Sequence, residues 1–138
     1  MKKLNKKCLF VQDTGIFGDE FVVAIGYNHD EILEELKKIK ATKEVLDFVR
    51  STKQKFEEYV KGNSGGVFFN EKGKAILMHF PKWSDTWDFW EVLLHECCHV
   101  VQGLEDTKNI IEEVEARAYT TQYLFRKIRR KLSGAESL

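Results

Sequence analysis

Neither sign of charge is in excess in this chain. Its 22 basic and 22 acidic side chains cancel, which argues against a surface given over to nucleic acid. No apolar run approaches the roughly 20 residues that a membrane span needs. The three cysteines are an odd number. Two of them, Cys97 and Cys98, are neighbours whose side chains diverge by about 100° on a helix, so no disulfide framework is implied. The lysine-led start does not read as a secretory signal, because its apolar stretch at 8–11 stops at Gln12 and Asp13. No internal repeat or low-complexity tract is visible. These absences lead to the expectation of a cytoplasmic protein with no membrane partner. The 138 residues, 43% of them apolar, suffice for one domain with its own core.

What is present reads as strands mixed with helices. Segments 8–11 and 20–27 are rich in Phe and Val and flank a turn containing Gly and Asp, the pattern of two strands. Asn28 is positioned to cap a helix over 29–40, with Ile32, Leu33, Leu36 and Ile39 on one side. A second helix is expected over 42–60, carried by Val45, Leu46, Val49, Phe56 and Val60. Residues 61–66 form a loop rich in Gly, Asn and Ser. Segments 67–70 and 74–80 predict a hairpin, ended by the single proline, Pro81. Ser84 or Asp85 would cap a helix over 85–102, with Gly103 as its stop. A short connection at 105–107 leads to a last helix over 108–131. This order predicts an α+β fold with a small antiparallel sheet, in one domain over 1–138 with loose tails at 1–7 and 132–138.

The chemistry gathers in His95-Glu96-Cys97-Cys98-His99. Two histidines four residues apart on a helix stand one above the other, so their nitrogens can converge on one metal ion. Glu96, about 100° further round, can reach a water on that metal without being a ligand. Trp87, Trp90, Leu93, Leu94, Cys97, Val100 and Val101 occupy one broad apolar arc, and His95, His99 and Gln102 fall opposite. A catalytic zinc takes three protein ligands and keeps an open position. The last helix offers Glu112, Glu113 and Glu115, beside an expected buried arc of Ile110, Ile111, Val114, Ala118, Leu124, Phe125 and Ile128. Glu115 lies at the edge of that arc and is the expected third ligand, with Glu113 and then Glu112 as alternatives. All three also suit a plainer role, because acids favour the positive end of a helix dipole.

His95-Glu96-x-x-His99 followed by Glu115-Ala116-Arg117-Ala118-Tyr119 resembles the gluzincin type of zinc metallopeptidase. The likeness is greatest to small versions carried by phages and other mobile elements, whose further Tyr-Leu is matched by Tyr123-Leu124. A weaker similarity to the ImmA/IrrE type aligns Glu113 and Ala116 instead, and would make Glu113 the ligand. The resemblance covers about residues 74–125. It implies a zincin-like domain that binds Zn²⁺ through His95, His99 and Glu115 and hydrolyses peptide bonds of a protein or peptide substrate. Glu96 would take a proton from the attacking water and pass it to the leaving amine. Tyr119, one turn beyond Glu115, would donate a hydrogen bond to the developing oxyanion. The strand at 74–80 precedes the metal helix, as the edge strand does in zinc peptidases. It would hold an extended peptide by strand addition, or else be an ordinary buried strand.

The other chemically tempting residues read as structural. His79 sits in a strand and His29 at an exposed helix start, while Cys97 and Cys98 read as small core side chains. Trp83, Trp87 and Trp90 are expected to pack the core, with Trp83 at a cleft rim. Lys2, Lys3, Lys6 and Lys7 crowd the start, and Arg126, Lys127, Arg129, Arg130 and Lys131 the end. These read as solvated termini. The competing function is a non-catalytic, metal-stabilised binding module whose basic ends contact nucleic acid, with the salt sensitivity that implies.

Overall fold

Residues 7–15, 20–70, 75–108 and 114–134 are described by the structure, a computed structural model; for 105–108 and 114–116 only the backbone is described. β1 (Cys8–Asp13) and β2 (Glu20–Ile25) pair antiparallel, as do β3 (Gly66–Phe69) and β4 (Ile76–Phe80). The two hairpins meet through β2 and β4, which run parallel with Val22 opposite Leu77 and Ile25 opposite Phe80. The strand order is β1-β2-β4-β3.

The sheet is therefore mixed, not antiparallel as the sequence pattern predicted. Parallel neighbours need a long crossover. Here α1 (His29–Lys38), α2 (Lys43–Ser51) and α3 (Lys53–Val60) supply it between β2 and β4. The signal for this lies in the strands themselves. Residues 21–25 and 76–80 are buried without alternation, as in strands covered on both faces.

The first three helices cover one face of the sheet, where Val22, Ala24 and Leu77 pack with Ile32, Leu36, Phe48 and Phe56. On the other face α4 (Trp87–Lys108) and α5 (Val114–Leu132) close over Val23, Ile25, Met78 and Phe80. Leu93, Leu124 and Ile128 are wholly buried there, each stabilising the fold by about 1.5–3 kcal/mol relative to exposure. The architecture is α+β.

Local chemistry sets the helix boundaries. The Asn28 side chain accepts from the Glu31 amide at 2.9 Å, and the Glu31 carboxylate accepts from the Asn28 amide at 3.1 Å, a reciprocal cap on α1. The single helix expected over 42–60 is broken at Thr52. The Val49 carbonyl accepts from the Thr52 hydroxyl at 2.6 Å and from His29 Nε2 at 2.6 Å, so it is engaged away from the regular helical ladder. His29 is consequently buried at 6% exposure and not a surface residue.

Gly103 does not stop α4, which continues to Lys108. A β-carbon there would come within 2.0 Å of the Phe69 ring, so the glycine serves the close approach of β3 to α4. Of the expected tails, 1–6 and 135–138 lie outside the described residues, while Leu132 is buried and ends α5.

Candidate metal centre

α4 is anchored by Phe89, Leu93, Cys97, Val100, Val101 and Leu104, all buried against the sheet and α5. That stripe fixes the helix phase and turns Glu91, His95, Cys98, His99 and Gln102 outward. The expected arc was too wide on one side. Trp87 is 83% exposed and Leu94 is 44% exposed, because Phe89 and Leu93 take the inward positions beside them. Cys97 is a core residue as expected, with burial pushing its thiol up, but Cys98 is exposed. Trp83 and Trp90 do pack inward. Trp83 stacks edge-on against Phe89 and Trp90 with ring centroids 4.9 and 5.3 Å apart.

The two histidines converge. His95 Nε2 and His99 Nε2 lie 3.0 Å apart. Two nitrogens bonded to one tetrahedral zinc at 2.0–2.1 Å would be about 3.3 Å apart, so little adjustment separates the observed pair from a ligand pair. Gln102 Oε1 is 3.2 Å from His99 Nδ1 and accepts its proton, leaving the Nε2 lone pair for a ligand. Glu96 completes the group: one ligand atom from each of His95, Glu96 and His99 falls within 4.8 Å of the others. Such a group could hold a metal ion.

Glu96 differs from its neighbours in being buried, at 6% exposure. Burial raises its carboxyl above the ordinary carboxylate range, against the opposing pull of His99 and His95. Tyr59, across from it, has its phenol pushed up by burial and by the charge on Glu96. Tyr59 donates to the His79 carbonyl at 2.9 Å, and its ring lies against Gly66, where a β-carbon would come within 2.7 Å. This links the site to the start of β3.

A hollow of about 600 Å³ opens beside His95 and Glu96, bounded by Asp88, Glu91 and Val92 on α4 and by residues 62–65 opposite. In the sequence this stretch reads only as a loop rich in Gly, Asn and Ser. Its tell-tale is the Gly65-Gly66 pair. A β-carbon on Gly65 would come within 2.8 Å of both Phe80 and Val92, so only a glycine lets the loop press against α4.

His79 does not join this group. It is buried on the α1–α3 side, 4.4 Å from the Phe56 ring centroid, and donates through Nε2 to the Tyr27 carbonyl at 2.7 Å. Glu112 and Glu113 lie outside the described residues. Glu115 lies in α5, but its side chain is outside what is described. Tyr119 is 64% exposed and lines a different hollow, with Gly15, Gln122 and Arg126. Ala118 is exposed, because Thr120, Leu124, Ile128 and Leu132 form the buried stripe of α5.

No family model, curated protein or solved structure matches the chain. Among the described residues, no helix is long and apolar enough to cross a membrane. The basic end of α5 is partly committed within the fold. Lys131 donates to Gln12 Oε1 at 2.9 Å, Arg129 lies 5.4 Å over the Trp90 ring, and Lys127 lies 6.0 Å over Tyr123. Lys2, Lys3 and Lys6 fall outside the described residues.

Proposed function

We propose that the chain is a small zinc-dependent metallopeptidase of the gluzincin kind, built on a zincin-like domain. The observation that carries this reading is the convergence of His95 and His99 through their Nε2 atoms, with a buried Glu96 beside them and a hollow lined by His95 and Glu96. The donor set suits zinc: two imidazoles, one with its outer nitrogen held by Gln102. Glu115 is the proposed third ligand. Arg129, near the end of α5, lies over Trp90, near the start of α4, a contact that supports an antiparallel arrangement of the two helices. In that arrangement the first turn of α5, which bears Glu115, would lie towards the half of α4 that bears His99.

A zinc ion held there would supply a Lewis acid able to activate water near neutral pH and to polarise a peptide carbonyl. Glu96 takes the proton from the attacking water at its carboxylate and delivers it to the nitrogen of the departing amine. The peptide itself would lie along β3. The expected candidate, β4, is flanked by β2 and β3 and has no free edge. β1 and β3 are the edge strands, and β3 packs beside α4 through Phe69 and Gly103. Its outer backbone groups would pair with an extended substrate.

Two measurements on protein purified without an affinity tag test this reading. Metal analysis should find one zinc per chain. Mass-spectrometric profiling of a peptide library should find cleavage that Glu96→Gln lowers by at least about a hundredfold while zinc is retained. Equal activity in parent and variant would rule out the assigned base, and failure to bind zinc at all would remove the proposal.

A further inference from the structure

The hollow beside His95 does not end at α4. A second hollow of about 450 Å³ shares Gly62, Asn63, Ser64, Asp88 and Val92 with it, so the two form one groove. The second part is bounded by the loop after α3 on one side and by the connection from β4 to α4 on the other. Each wall carries a lysine, Lys61 and Lys82. Both are exposed, and neither belongs to an ion pair among the described residues. The nearer part has the opposite sign, with Glu91 and Asp88 beside His95. Asp88 lines both parts, so charge along the groove runs from two acids beside His95 to a far end where two lysines outnumber it.

We infer that this groove selects substrates carrying an acidic side chain on one side of the scissile bond, read by Lys61 and Lys82. The inference rests on the metallopeptidase reading for its register. Asp88, common to both hollows, lies seven residues before His95 on α4, about 10 Å along the helix axis. An extended peptide covers that span in about three residues. The acidic residue thus falls two or three positions from the bond cleaved. Val60, Pro81 and Phe89 also line the far hollow, so the aliphatic stem of a glutamate finds apolar contact while its carboxylate meets the lysines.

The test uses zinc-loaded full-length protein and ten-residue peptides that differ only by Glu, Gln or Lys at single positions along the sequence. A Glu-over-Gln preference in kcat/KM of about three- to tenfold is expected at one of the second or third positions. It should collapse in Lys61→Gln/Lys82→Gln and reverse towards Lys-bearing peptides in Lys61→Glu/Lys82→Glu. Circular dichroism checks that these surface changes leave the fold intact. Cleavage without any charge preference, or a preference that survives both double variants, overturns the inference and leaves the peptidase reading standing. Where no peptide is cleaved, fluorescence anisotropy of the same labelled peptides on Glu96→Gln protein decides. Tighter binding of the Glu peptides, lost in the lysine variants, keeps the groove assignment and removes hydrolysis. No binding removes both.

Discussion

Gln102 is the side chain that orients His99. A histidine ligand needs its second nitrogen held, and Gln102 does this for His99 from one helical turn away, at 3.2 Å. Gln102→Leu should therefore weaken zinc affinity by about 10- to 100-fold in competition with a chelating dye, without unfolding the protein. Unchanged affinity would mean that His99 is oriented by something else. A separate residue-scale prediction concerns His79. Burial lowers its pKa from 6.5 to about 4. As pH falls through this window the unfolded chain takes up a proton that the folded chain refuses, so stability is complete above 6.5 and is lost towards 4. In the metal-free protein the loss should be of order 2–3 kcal/mol. His79→Gln keeps a donor near the Tyr27 carbonyl and does not titrate. Urea unfolding at pH 7 and pH 4.5 should show the variant losing less stability than the parent; equal losses would contradict the assignment.

At the scale of elements, the approach of β3 to α4 depends on Gly103. An alanine in a helix interior normally stabilises by up to about 1 kcal/mol relative to glycine. Here its β-carbon would collide with the Phe69 ring at 2.0 Å, so Gly103→Ala should destabilise by about 1–3 kcal/mol. In a Phe69→Ala background the same change should cost nothing or stabilise. Equal costs in both backgrounds would show that the contact is not limiting.

Gly103 also illustrates what the sequence could convey. Its type fits a helix stop as well as a close contact, and only the partner strand distinguishes them. The α4 motif was legible because 3.6-residue periodicity places His95 and His99 together whatever surrounds them. The break at Thr52 was not, since it depends on His29, more than twenty residues away, sharing the Val49 carbonyl. Parallel pairing of β2 with β4 was legible in principle from their unbroken apolar runs. The hairpin signals on either side pointed to antiparallel neighbours, and each hairpin is indeed antiparallel. The junction between them carries no local signature.

Across the whole molecule, the sheet brings together parts that are distant in the chain. The 62–65 loop and α4 bound one hollow, and Tyr59 from α3 packs on Gly66 at the start of β3, next to that loop. Zinc that joins α4 to α5 through Glu115 would tie the last two helices together. Binding to the folded state alone should then raise the thermal midpoint as zinc is added. That rise should vanish in His99→Ala and shrink in Glu115→Gln, but survive in Glu113→Gln. Survival in Glu115→Gln with loss in Glu113→Gln would move the third ligand to Glu113.

X-ray absorption at the zinc edge of the loaded protein tests the central claim most directly, because exposed Cys98 adjoins His99 and offers a competing sulfur. Zinc held by His95, His99 and a carboxylate should show only nitrogen and oxygen neighbours at about 2.0–2.1 Å, with the more distant scattering of two imidazoles. A sulfur at about 2.3 Å, or a spectrum unchanged when His95 and His99 are both replaced by alanine, would contradict it.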